Sequence, residues 1–159
     1  CQGNPFTVAV TVYPEPVGVN QTITTCSDVI LNYDLQNNID GIGNALQATF
    51  TWVAASNPNV AGETTTPTMT GIINDNLTNI TALVQTVIYT VNPVSDDANT
   101  CTGNDFIISV NVNPEPAGNN TAISTCSDVA LSHSLQGDIT NSITSNFTWI
   151  ATDDTSVVG

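Results

Sequence analysis

The chain has no lysine and no arginine among its 159 residues, and only one histidine. Set against 14 acidic residues, this leaves a formal net charge of −14. No side chain could neutralise phosphates, so nucleic acid is excluded as a partner. An anionic membrane surface is disfavoured for the same reason. Trypsin-like proteases find no cleavage site, and a Lys–Asn isopeptide crosslink cannot form. Each carboxylate must be solvated, hydrogen-bonded or matched by an external cation. Several other signals are missing. There is no apolar run of the roughly 18 residues that span a bilayer, so no membrane insertion is expected in this segment. A Gly-rich phosphate loop is absent, as are Cys-x-x-Cys or paired-His metal spacing and a local nucleophile–base constellation. No enzyme is expected. Acidity with 6% aromatics can signal disorder. Here, however, 40% of residues are hydrophobic, and many are Val, Ile and Thr in alternating runs, which reads as folded β-structure.

The chain repeats itself. Cys1-Gln2-Gly3-Asn4 returns as Cys101-Thr102-Gly103-Asn104, Pro14-Glu15-Pro16 as Pro114-Glu115-Pro116, and Thr25-Cys26-Ser27-Asp28-Val29 as Thr125-Cys126-Ser127-Asp128-Val129, all at an offset of 100 residues. Phe50-Thr51-Trp52 returns as Phe147-Thr148-Trp149 at an offset of 97. Solenoid units usually run about 20–50 residues, so this period suits a complete small β-domain used in series. Residues 1–16 read as the C-terminal strand of one repeat, 17–116 as a complete repeat, and 117–159 as the N-terminal part of the next.

Within 17–116 the alternation predicts strands near 21–26, 29–35, 47–54, 69–74, 79–83, 85–92 and 105–113, with Gly41, Gly43, Pro58, Gly62 and Pro67 marking loops. No stretch shows a helical period. Seven short strands in about 100 residues point to an all-β, Ig-like two-sheet sandwich. Trp52, on the third strand, is expected in the core, and Tyr89 as a tyrosine corner or plain packing. Pro-Glu-Pro between repeats restricts the connector and favours a semi-rigid rod.

Several of these motifs together resemble a known family. They are the Thr-x-x-Cys-Ser-Asp opening, the Phe-Thr-Trp strand, Ile73-x-Asp75-x-Leu77-x-Asn79, the Val87-to-Pro93 strand, a Cys-x-Gly turn and a Val-x-Val-x-Pro-x-Pro exit. The chain resembles the PKD-like, Ig-like repeats of giant surface adhesins of Bacteroidota, of the gliding-motility-associated type. The resemblance implies a secreted structural module of a cell-surface stalk or extracellular filament. Its partners would be neighbouring repeats of the same protein, with self-assembly into a filament open. The family brings no catalytic residues. A module of another kind, a carbohydrate- or surface-binding sandwich, would use Thr64-Thr65-Thr66-Pro67-Thr68 first.

Site expectations are few. The cysteines recur with the repeat, which suggests an oxidising, extracellular setting. Cys26 pairing with Cys101 inside one repeat is the favoured disulfide, with Cys1 and Cys126 pairing outside the window. Pairing of Cys1 with Cys26 and of Cys101 with Cys126 across the connectors is the alternative, and unpaired thiols are the plain reading. The intradomain pair carries a geometric difficulty, because the first and last turns of a sandwich lie at opposite ends whereas a disulfide needs Cα atoms about 5.5 Å apart. Asp96 and Asp97, with Asp105 nearby, are candidate Ca²⁺ ligands, since calcium takes clustered loop oxygens. Asp153-Asp154 is a lesser such pair. Asp154-Thr155-Ser156 resembles a bacterial O-glycan acceptor, making Thr155 a candidate for sugar. Asn-x-Ser/Thr sequons at Asn20, Asn76, Asn79, Asn119 and Asn146 fall at the level of chance in so Asn- and Thr-rich a chain. His133 occupies the place of Tyr33 and reads as a strand residue rather than a base.

Overall fold

A computed structural model describes residues 1–156. In chain order its elements are β1 (Gln21–Cys26), β2 (Tyr33–Asp34), α1 (Leu35–Ile42), β3 (Ala48–Ala54), β4 (Val60–Ala61), β5 (Ile72–Ile73), β6 (Thr78–Asn79), β7 (Gln85–Ser95) and β8 (Phe106–Asn113). A short 3-10 helix, Leu135–Asp138, follows. One layer is a four-stranded sheet in the order β1-β8-β7-β3. β7 is antiparallel to both of its neighbours, whereas β1 runs parallel to β8. The facing layer is made of two small ribbons, β2 with β5 and β4 with β6, together with α1.

Period-2 alternation builds the sheet. Phe106, Ile108, Val110 and Val112 of β8, Val87, Tyr89 and Val91 of β7, and Phe50, Trp52 and Ala54 of β3 all point inward and are buried. Leu35, Ile39, Val60, Ile73 and Leu77 meet them from the second layer. Every buried core residue thus lies between Leu35 and Val112. The result is an all-β, Ig-like sandwich, present once. Residues 1–20 form no strand, and 117–156 form only the 3-10 helix and one isolated bridge, Gly118 with Ile139. Phe6, Val8, Val10 and Val12, the counterparts of Phe106, Ile108, Val110 and Val112, are 75–88% exposed.

Several expectations are corrected, and the strands expected over 69–74 and 79–83 are only the two-residue β5 and β6. The strand expected over 29–35 is only the two residues of β2, and α1 follows it directly. Asp34 caps this helix, its Oδ1 accepting from the Gln36 N–H at 2.9 Å. Leu35 and Ile39, one turn apart, enter the core. A helix of eight residues, about two turns, with Leu35 and Ile39 as its buried apolar residues shows no sustained period, so the cap was the only clear local signal. β7 also runs on to Ser95, through Pro93. Beyond the pair Val91–Phe106, β7 has lost β8 as a neighbour. Its neighbour there is the 101–103 turn, where Gly103 N–H donates to the Pro93 carbonyl at 2.9 Å and Thr102 bridges Val94, so proline's missing N–H falls past the end of the β8 ladder.

Because α1 seals the core, Leu35→Ala should lower stability by about 2–5 kcal/mol in urea unfolding. Met69→Ala, at an exposed loop position, should move it by less than about 0.5 kcal/mol.

Candidate functional site: the two poles of the domain

The parallel pairing of β1 with β8 gives the domain a polarity. Both strands run from a near pole, where the chain enters, to a far pole, where it leaves. At the near pole the connector Pro14-Glu15-Pro16 is held by the segment after α1. Asn44 donates through Nδ2 to the Glu15 carbonyl at 2.8 Å and accepts at Oδ1 from the Val17 N–H at 3.0 Å. Pro16 is buried. It lies against Gly103, where a Cβ would come within 2.0 Å of the Pro16 carbonyl oxygen, so only glycine fits. Asn38, in the middle of α1, is buried and ties Val19 down by two bonds of 2.9 Å.

The far pole repeats the clamp with the next stretch of chain. Asn141 donates to the Glu115 carbonyl at 2.7 Å and accepts from the Ala117 N–H at 3.2 Å. Glu115 also reaches back to Asp28, and their shared hydrogen bond, followed by Asp28's negative charge, holds the Glu115 carboxyl above its ordinary range. A cleft of about 330 Å³ lies between Thr78–Ala82 on one side and Glu115, Ala117, Thr140 and Asn141 on the other. It is open and carries no convergent reactive groups.

The interior polar groups are fully engaged. Asp75, 7% exposed, accepts from Thr64 N–H at 2.8 Å, Thr64 Oγ1 at 2.6 Å and Tyr89 OH at 2.8 Å. Burial, and then the bond to Asp75, push the Tyr89 phenol well above its usual range. Glu63 nearby is also raised, chiefly by burial and further by the charge of Asp75, against the lowering effect of the Asn57 N–H. At the far pole Asn79 donates to the carbonyls of Leu83 and Val112, both at 2.8 Å, while its own N–H reaches Ser27 Oγ at 2.9 Å. The Ile73-x-Asp75-x-Leu77-x-Asn79 motif is therefore an inward-facing row in which the polar members carry bonds between the two layers.

The residues singled out in the sequence are placed as follows. Trp52 is 2% exposed and meets Tyr89 edge-to-face at 5.7 Å. Tyr89 is not a tyrosine corner, whose hydroxyl would bond backbone a few residues upstream, because its partner is the Asp75 side chain. Cys26 and Cys101 do not pair, and Cys1, Cys26, Cys101 and Cys126 are all free thiols. The register explains this. Thr25 lies opposite Val112, which pairs with Gln85, while Thr102 bridges Val94. Nine residues of β7 separate those positions, about 30 Å at strand rise, far beyond disulfide reach. The difficulty anticipated from sandwich geometry is decisive.

Asp96, Asp97 and Asp105 are not brought together. Asp97 Oδ1 accepts from Ser95 Oγ, Asn99 N–H and Thr100 N–H at 2.9–3.2 Å, shaping the turn. Asp105 accepts from Asn92 at 2.8 Å. Among the described residues no group of three or more His, Cys, Asp or Glu could hold a metal ion. Asp154 Oδ1 accepts from the Ser156 N–H at 2.9 Å, leaving Thr155 exposed in that turn. Asn79 is buried, so that sequon offers no glycan site. His133 contacts Asp138 at 2.6 Å, and that bond lowers the Asp138 carboxyl below its ordinary range. The Thr64–Thr68 run closes the free edge of β3: Trp52 and Thr68 exchange backbone bonds of 3.0 and 2.9 Å, and Ala54 N–H donates to Thr64 at 2.9 Å. Sequence reasoning missed Asn44 and Asn141, although their place just after Gly43 and its counterpart segment, at an offset of 97, marks them as a pair.

Residues 23–116 match the family described as PKD-like domain. No curated protein and no solved structure matches the chain. Among the described residues no helix is long and apolar enough to cross a membrane.

Two outcomes follow from the interior. Removing the Tyr89 hydroxyl (Tyr89→Phe) leaves Asp75 one donor short and should cost about 1.5–3 kcal/mol in denaturant unfolding. Glu63 binds its proton more tightly folded than unfolded, so its contribution to stability is full below the ordinary value of 4.5 and is lost as pH rises through the raised folded value. Glu63→Gln should therefore melt higher than the parent at pH 7, with the gap closing below pH ~4. A gap that widens on acidification would contradict this.

Proposed function

The chain belongs to the PKD-like domain family, and from that premise we propose that it is a structural repeat of an extracellular rod. PKD-like domains are extracellular structural or binding modules, in general without catalytic activity. The finer reading is a stalk or filament segment of a giant surface adhesin of the Bacteroidota type, providing reach, stiffness and protease resistance. In this reading residues 1–16 end one repeat, 17–116 form the next, and 117–159 open a third. Each exposed apolar row, such as Phe6, Val8, Val10 and Val12, is covered by the rest of its own repeat.

One observation carries the proposal. The same asparagine clamp grips the same two backbone groups of the connector at both poles, through Asn44 and through Asn141. A connector held to the domain that follows it cannot swivel freely there. Proline on both sides of Glu15 and Glu115 limits it further. Stiffness is then written into each joint. Net charge of one sign keeps neighbouring rods apart in dilute salt. The absence of lysine and arginine leaves trypsin-like proteases nothing to cut. Of the threonine run that a sugar-binding module would offer, Thr64 and Thr68 are held by backbone bonds to the β3 edge and the Thr64 hydroxyl is bonded to Asp75. Thr155 as a glycan acceptor stands as a proposal beside this one.

The test is small-angle scattering from residues 14–116 followed directly by a second copy of residues 17–116, which restores the native spacing of one joint. Strand rise gives about 40 Å per repeat, so a stiff pair should measure about 80 Å end to end with a narrow distribution. Asn44→Ala in the second copy should broaden that distribution while leaving each domain's melting temperature nearly unchanged. A parent as broadly distributed as the variant would defeat the rod reading, and a single repeat that binds on a glycan array would favour a binding module.

A further inference from the structure

The near and far poles each carry one cysteine of the repeat. Cys101 sits at the near pole, in the turn that packs on the entering connector: two residues later, Gly103 lies against Pro16. That turn is fixed, since Cys101 N–H donates to Ser95 Oγ at 2.8 Å and its carbonyl accepts from Ser95 N–H at 2.9 Å. Cys26 sits at the far pole, opposite Asn113 in the parallel register, and the next residue's N–H donates to the Asn113 carbonyl at 2.9 Å. Asn113 is the last residue of β8, and Pro116, the counterpart of Pro16, follows three residues later.

Placing repeats in series brings these two positions to one joint. The following repeat must seat its own Cys-x-Gly turn on Pro116 as this one seats Cys101-Thr102-Gly103 on Pro16. Asn113, which marks Cys26, and Pro116, which marks the incoming turn, are at most about 10 Å apart along the chain. No other pairing of these cysteines is short. Within a repeat the two thiols are about 30 Å apart along β7. Cys1 with Cys26, or Cys101 with Cys126, would join the near pole of one repeat to the far pole of the next, across two domain lengths.

We infer that the cysteines are inter-repeat staples: Cys26 of each repeat bonds the Cys101 counterpart of the repeat that follows. The inference rests on the rod reading above. The step is thiol–disulfide exchange. Two protein thiols give up two protons and two electrons, one S–S bond forms between them, and a low-molecular-weight disulfide such as oxidised glutathione is reduced to two thiols. Cys26 is exposed and Cys101 half-buried, so the exchanging disulfide can reach the first thiol. The bond would close a ring around the Pro-Glu-Pro connector and make each joint covalent twice over, so that a rod under tension is held at the joint by more than noncovalent packing.

The two-copy chain described above decides this, because the whole core lies within each copy. Three versions each keep two cysteines, with Cys→Ser at the other two: Cys26 of the first copy with Cys101 of the second, the reciprocal pair, and Cys26 with Cys101 in the first copy only. Each is equilibrated, dilute, in a glutathione redox buffer. The monomer is then assayed for free thiol and mapped by non-reducing mass spectrometry after Asp/Glu-directed cleavage. The first version should lose both thiols and give one linked peptide, while the other two should stay reduced. A first version that stays reduced, or an intra-copy version that oxidises, overturns the inference. Scattering on the fully reduced chain separates the two claims: if the first version stays reduced while the reduced chain is still a stiff rod of about 80 Å (about 40 Å per repeat), the staple fails alone, whereas a floppy pair sinks the rod reading itself.

Discussion

With no lysine or arginine to lend a countercharge, every polar group this domain buries must find a neutral partner, and the architecture is arranged around that requirement. Asp75 is the sharpest case. Its carboxylate sits between the layers and accepts from a backbone N–H, a threonine hydroxyl and the Tyr89 phenol. Those three donors come from the loop between β4 and β5 and from the centre of the main sheet, so one carboxylate ties the two together. Asn79 does the same at the far pole with two carbonyls and one serine hydroxyl. Among the described residues no buried side-chain nitrogen or oxygen lacks a partner. A buried ion pair would have carried a desolvation penalty on both members. Hydrogen-bonded acceptors among hydroxyls and amides hold the layers together with one charge or none.

The same economy of partners shapes the poles. Asparagine, able to donate and accept at once, grips a carbonyl and an N–H of the connector together, which no carboxylate or hydroxyl could do in that geometry. The repeat tests the point internally. Around α1, Tyr33, Asn38 and Gln21 bond one another. In the later copy the same places hold His133, Asp138 and Thr121, and Asp138 bonds each of the other two. All three residues differ, yet the central position still bonds both of the others, so the contact does not depend on any one side chain. Asp28 and Asp128 likewise both take the left-handed conformation, at φ 60° and 61°, although only the first belongs to a completed sandwich. That turn is local chemistry.

How much could be read from the residues depended on the range over which they act. β1, β3 and β8 were legible to within a residue, because alternating Val, Ile and Thr with Pro or Gly at the ends is a local signal. Trp52 in the core followed from the same pattern. The helix was not legible, since its one apolar pair, Leu35 and Ile39, makes sense only against a core that sequence does not show. The carboxylates at 96, 97 and 105 looked like a ligand cluster because they are near in sequence. Folding spends Asp97 on turn N–H groups and Asp105 on Asn92.

What the sequence determined by itself is the alphabet and the period: an all-β unit built without cations, with motifs, Pro-Glu-Pro among them, that return after about 100 residues. Alternation and repetition are properties of neighbours along a chain, and they survive in one dimension. What only the tertiary structure decided is which ends meet. The parallel pairing of β1 with β8 sends Cys26 to one pole and Cys101 to the other, and it turns two asparagines into clamps on successive connectors. Strand direction within a sheet is a long-range choice, made by how the layers close over Asp75 and the core, and no local pattern in the residues records it.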